Sequence, residues 1–200
     1  MSAAPVILGV SGASGAAIAL RLAELLSAAA VSVELIVTRG AERTLNEEVG
    51  PDALARLDRL ATRRHAIDDL GATVASGSYP VAGMIVAPCS MRSLGAIANS
   101  LSDNLLVRAA DVQLKERRRL VLIARESPLH LGHLRAMCAV TEMGAIVAPP
   151  SPAFYLKPVT SDEIIDQIAR RAADLLGVLP PMARQWTDAC RPPLSRPGGV

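Results

Sequence analysis

Aromatic side chains are nearly missing from this chain: one Phe, two Tyr and one Trp make up 2% of its 200 residues. A groove that stacks exposed bases needs rings at intervals, so nucleic acid is a poor partner. Charge agrees, because 21 Lys and Arg against 19 Asp and Glu leave a formal net charge of only +2. The basic cluster Arg117-Arg118-Arg119 has no aromatic neighbour and suits a solvated helix end. Cysteine is scarce and odd in number: Cys89, Cys138 and Cys190 are widely spaced. That pattern predicts reduced thiols in a cytoplasmic setting, not a disulfide framework. His130 and His133 offer two ligand nitrogens, but no Cys or carboxylate stands at a zinc-like spacing, so no metal is expected. Long apolar runs are also missing, since Arg, Glu, Ser or Gly interrupts each one, which excludes a helical membrane span. The start of the chain lacks a basic region, and its apolar segment breaks between Gly9 and Gly15, so no signal peptide is expected.

What the chain does have is apolar surface. Half of its residues are hydrophobic and the mean hydropathy is +0.32. With no membrane to take it, that excess predicts burial between subunits and a homo-oligomer. Short buried-strand patterns alternate with helical ones. Strands are expected at Val6 to Val10, Val31 to Thr38, Gly83 to Ala87, Leu120 to Ala124 and Ala145 to Ala148. Helices are expected over Gly15 to Ala30, in segments through Glu48 and Arg64, and over Ser93 to Ser100. Others follow at Asp103 to Glu116 with an Asp N-cap, at Leu129 to Met143 before Gly144, and at Ser161 to Leu176 before Gly177. Ala72 to Pro80 reads as a loop, and the Pro/Gly/Arg composition from Asp188 onward reads as a flexible tail. The fold class is therefore α/β, a doubly wound domain over residues 1–187 with a mostly parallel sheet.

Such a sheet gathers ligands at the carboxyl ends of its strands. Three expected strand ends carry chemistry. The first is Gly9-Val10-Ser11-Gly12-Ala13-Ser14-Gly15, where small residues let backbone approach a ligand and a helix start offers amides to a phosphate. Its glycine spacing is not that of a dinucleotide fold, and no Gly-Lys-Ser/Thr follows, which leaves a mononucleotide or small anion. The second is Ala87-Pro88-Cys89-Ser90-Met91-Arg92-Ser93, with hydroxyls, amides and a cation; Cys89 has no histidine near it in sequence and reads as a packed thiol. The third is Arg125-Glu126, an arginine and a carboxylate that suit anion binding beside proton transfer.

These motifs together resemble the UbiX-like flavin prenyltransferases, a flavin-binding, flavodoxin-like (Rossmann-like) group related to decarboxylases. The resemblance runs from about Val6 to Trp186. It is carried by Ser11-Gly12-Ala13-Ser14-Gly15, Pro88-Cys89-Ser90-Met91, Arg108 to Asp111, Leu114 to Arg118, Arg125-Glu126, His130 to His133 and Pro152 to Tyr155. It implies an enzyme that binds reduced FMN and joins it to a dimethylallyl group from dimethylallyl phosphate, first at flavin N5 and then at C6. The prenylated FMN would pass to a UbiD-like decarboxylase, no metal would be needed, and the assembly would be a dodecamer. The implied FMN contacts are Gly12, Ala13, Ser14, Thr38, Ser90, Met91, Arg92, Ser93 and Arg125. The implied prenyl-phosphate contacts are Arg108, Lys115, Tyr155, Arg171 and Trp186, with Arg170 adjoining Arg171 as a second candidate. Ser14, Glu48, Lys115 and Glu126 are the implied catalytic groups.

Two other readings stay open on sequence. An FMN-dependent decarboxylase of cysteine-peptide or phosphopantothenoylcysteine type would carry an asparagine-bearing substrate motif and a histidine after the second strand. Here Pro88-Cys89-Ser90-Met91 stands instead, and His65 is the only upstream histidine. A non-catalytic flavin carrier would bind FMN without need of Lys115, Glu126 or Tyr155.

Overall fold

The computed structural model describes residues 4–187, so the tail expected from Asp188 and Cys190 lie outside the described residues. Its strands are β1 (Val6–Val10), β2 (Val33–Val37), β3 (Arg63–His65), β4 (Gly83–Cys89), β5 (Leu120–Ala124) and β6 (Ile146–Val147). Its helices are α1 (Ala16–Ala28), α2 (Arg39–Glu48), α3 (Ala53–Leu60), α4 (Met91–Ala98), α5 (Leu105–Lys115), α6 (Leu131–Glu142) and α7 (Ser161–Leu176). The strands form one six-stranded sheet in the order β3-β2-β1-β4-β5-β6, and every pairing is parallel. This is the flavodoxin-like doubly wound arrangement. No helix among the described residues is long and apolar enough to cross a membrane.

Each central strand is buried on both faces, which is why its sequence is apolar without alternation. Val6, Leu8 and Val10 face one core with α1, α3 and α7, while Ile7 faces the other with α4 and α5. The same alternation splits Val121 and Ile123 from Leu120, Leu122 and Ala124.

Three local expectations need correction. The helical segment expected to run through Arg64 ends at Leu60, and Arg63–His65 pairs with β2 as an edge strand. The cap of α5 is Asn104, whose side chain accepts from Val107 N at 3.1 Å; Asp103 precedes it and pairs with Arg92. The expected loop from Ala72 to Pro80 holds a 3-10 turn, Thr73–Ala75, that packs beneath α5.

Candidate functional site

The strand order reverses between β1 and β4, so their carboxyl ends diverge into helices on opposite layers and leave a crevice. Buried Ser11 ties the two tips together. Its hydroxyl donates to Pro88 O at 2.9 Å and accepts from Ser90 N at 2.7 Å. A Cβ on Gly12 would lie 2.8 Å from the Gly40 carbonyl carbon. Glycine at position 12 therefore permits the turn after β1 to touch the start of α2, a close packing that this small residue serves beside any ligand clearance.

A cavity of about 500 Å³ opens on this crevice, lined by Gly12, Thr38, Arg39, Ser90, Arg92 and Ser93 among others. Two helix N-termini meet there. Thr38 caps α2 by accepting from Ala41 N at 3.2 Å, and Ser90 caps α4 by accepting from Ser93 N at 3.2 Å. Amide dipoles, three hydroxyls and the Arg39 guanidinium on one wall make a fitting seat for a phosphate monoester. The amides at the start of α1, which the sequence offers to an anion, have a partner. There the Glu48 carboxylate already accepts from Gly15 N at 2.8 Å and Ala16 N at 2.9 Å.

A second cavity of about 610 Å³ lies across β5, between the turn after β6 and the outer face of α7. Tyr155, Arg171 and Trp186 line it, with Gln167 and Asp174 on the same helix. The Tyr155 and Trp186 rings meet edge to face with centroids 4.9 Å apart. The two adjacent arginines face different ways. Arg171 lines the cavity, whereas Arg170 turns away and donates to Asp166 at 2.6 Å.

Other expected site residues line neither cavity. Arg125 bonds through its amide to Cys89 O at 3.0 Å, and Glu126 accepts from Ser127 N at 3.1 Å; both side chains are exposed. Ser14 is exposed beside the capped start of α1, Ala13 is buried beneath it, and Met91 packs against the second core. Arg108 and Lys115 are not brought to either cavity by their own chain. Arg108 donates to Ala75 O at 3.2 Å and pairs with Asp111, and Lys115 pairs with Glu116. Asn104 and Lys115 stand at opposite ends of the eleven-residue α5, which spans about 16 Å. Asn104 lines the first cavity, so Lys115 stands a helix length from that residue, shortly before the start of β5.

Three groups have other duties. Burial pushes the Cys89 thiol up to about 12, so it stays protonated and is no nucleophile. His65 is buried, 2.6 Å from the Glu34 carboxylate, which also accepts from the Tyr79 hydroxyl at 2.8 Å; His65 therefore cannot act as a base in either cavity. His130 caps α6, with Nδ1 accepting from Gly132 N at 3.0 Å. The sequence reading missed Arg39, Asp68 and Asn104 in the first cavity, and Gln167 and Asp174 in the second. A capping signal marks Asn104, but nothing local marks the others.

The family model described as Flavoprotein matches residues 1–173. The flavin prenyltransferase UbiX of Thauera aromatica is 48% identical over 182 residues, 91% of this chain and 93% of that protein. A crystal structure of AnUbiX in complex with FMN and dimethylallyl pyrophosphate matches with a TM-score of 0.89 and 39% identity, covering 93% of this chain and 98% of that one. The dodecameric FMN-dependent UbiX-like decarboxylase structure from Escherichia coli O157:H7 matches with a TM-score of 0.87 and 40% identity, covering 92% and 99%.

Proposed function

The chain belongs to the Flavoprotein family and, within it, to the UbiX-like flavin prenyltransferases; from that premise we propose that it transfers a dimethylallyl group from dimethylallyl phosphate to reduced FMN. The feature that supports this reading is a pair of cavities, one at the starts of α2 and α4 and one between the turn after β6 and α7, with Arg125 and Glu126 exposed just after β5. One suits a flavin phosphate; the other offers a cation, a phenol and an indole to a small prenyl phosphate. The catalytic unit is one flavoprotein domain over residues 1–187, acting in the reducing cytoplasm that its free Cys89 and Cys138 suit.

Thr38, Ser90 and Ser93 hold the FMN phosphate at the starts of α2 and α4, with Arg39 neutralising charge. Reduced FMN supplies an electron-rich N5 and C6 as the carbons' acceptors. Arg171 and Tyr155 bind the prenyl phosphate, and their donors stabilise the charge that grows on phosphate as the allylic C–O bond breaks. Trp186 covers the prenyl end, where an aromatic face favours developing positive charge. Ser14 holds a hydroxyl near N5, and as the second bond closes at C6 the prenyl double bond takes up a proton at C2′ while Glu126 accepts the one that C6 loses. Glu48 serves first as the anchor of α1, through the Gly15 and Ala16 amides that follow Ser14, and relays protons from that fixed position.

Lys115 and Arg108 act on a neighbouring copy. They lie on the layer opposite α7, and neither lines a cavity of its own chain. Exposed Leu131 and Leu134 on α6 and Leu101 nearby give that copy an apolar surface to pack against. The assembly is a dodecamer, as in the E. coli O157:H7 structure, and the prenylated flavin passes to a UbiD-like decarboxylase.

The test is anaerobic incubation of the purified protein with reduced FMN and dimethylallyl phosphate, followed by the mass of the released flavin. A gain of one dimethylallyl unit is expected. Unmodified FMN after prolonged turnover contradicts the reading and favours a carrier or a decarboxylase.

A further inference from the structure

Four side-chain hydrogen bonds hold residues 182–184 against α7, and all four are made by two side chains of that helix. Asp174 accepts from Met182 N at 2.7 Å and from Ala183 N at 3.1 Å. Gln167 accepts from Arg184 N at 3.2 Å and donates to Arg184 O at 3.2 Å, so one amide satisfies both backbone groups of that residue. Gln167, Arg171 and Asp174 follow the i, i+4, i+7 spacing that puts side chains on one helical face, and all three line the second cavity. The segment from Met182 to Trp186 has no helix or strand of its own. It therefore runs back along α7, clamped one turn on each side of Arg171, and delivers Trp186 to the edge of Tyr155.

We propose that Gln167 and Asp174 are positioning residues for Trp186. They lay residues 182–184 as a strap over the Arg171 face, so that Trp186 and Tyr155 form one aromatic wall over the prenyl end of the substrate. The inference rests on the prenyltransferase reading of this cavity. Without the clamps the strap keeps its covalent attachment at Gly177 but loses its register along the helix, and the indole loses its fixed place.

Trp186 is the only tryptophan in the chain, so its emission reports the strap directly. In the FMN-loaded protein, Asp174→Ala and Gln167→Ala are expected to shift that emission to the red and make it easier to quench with acrylamide. Asp174→Ala is expected to raise KM for dimethylallyl phosphate roughly tenfold, the usual size of losing hydrogen bonds to a charged group, with FMN affinity within about twofold of wild type. Asp174→Asn keeps one acceptor and falls between. Thr160→Ala removes the cap of α7, and is expected to lower the melting temperature while leaving emission and KM alone. Wild-type emission and KM in both alanine variants overturn the inference, and so does a loss of FMN affinity in step with the rise in KM. If the wild type makes no prenylated flavin, the reaction falls, and emission alone decides the strap.

Discussion

Adjacent arginines with opposite duties show how one residue step on a helix separates binding from scaffolding. Arg170 and Arg171 are chemically identical and differ by about 100° around α7, because an α-helix has 3.6 residues per turn. Arg170 joins Asp166, which also pairs with Arg21 at 2.7 Å, while Arg171 faces the second cavity. Arg171→Ala is therefore expected to raise KM for dimethylallyl phosphate at least about tenfold, as loss of a charge-assisted phosphate contact does. Arg170→Ala should leave that KM within about twofold and cost less than about 1 kcal/mol of stability, the usual worth of a half-exposed ion pair. Steady-state kinetics on both variants check this, and equal effects contradict it. Sequence alone leaves the two candidates side by side, since a motif gives spacing but not which side of a helix the core has claimed. Glu48 teaches the same lesson: its carboxylate is legible as a reactive group, but its partners Gly15 N and Ala16 N lie more than thirty residues away.

Elements with strong local signals were legible, and those decided by a distant partner were not. The runs in β1 and β5 read as strands because both faces of each are covered. Arg63–His65 carries no apolar run; it becomes a strand because β2 offers an open edge and Glu34 offers buried His65 a partner. The turns after β1 and β4 were legible as candidate site segments because glycines, hydroxyls and helix starts sit within a few residues, and Gly12, Ser90, Arg92 and Ser93 do line the first cavity. Asp68 was not, since it follows that unread edge strand. The α1–α7 contact carries a pH-dependent element. Burial pushes the Asp166 carboxyl up, but hydrogen bonds from Arg170 and Arg21 outweigh it and hold the group below its ordinary value of 3.8. A depressed folded value means the contribution is full above the unfolded carboxyl's pKa and is lost as pH falls through the folded one. Asp166→Asn should then lower the urea midpoint at pH 7, with the gap to wild type closing toward pH 3 or below. A gap that persists undiminished in acid contradicts the assignment.

For the whole molecule, the decisive fact is that one chain supplies two cavities but not every group its motifs promise. The apolar excess seen in composition appears as surface on α6, where Leu131 is 59% exposed and Leu134 50%. Lys115 stands at the far end of α5 from the cavity that Asn104 lines. Both features follow if copies pack so that α5 of one subunit completes the site of another, a relation that symmetric assemblies repeat at every interface. Sequence could name Lys115 but not the chain it serves, because spacing carries no information about subunits. The most direct measurement is complementation between two inactive variants, Lys115→Ala and Arg171→Ala, co-expressed and purified as mixed oligomers. Each variant alone is expected to make little prenylated FMN from reduced FMN and dimethylallyl phosphate. Random mixing should restore about a quarter of wild-type activity, since a quarter of the sites then draw both intact residues from different chains. Mixed oligomers no more active than either variant alone contradict a site shared between subunits.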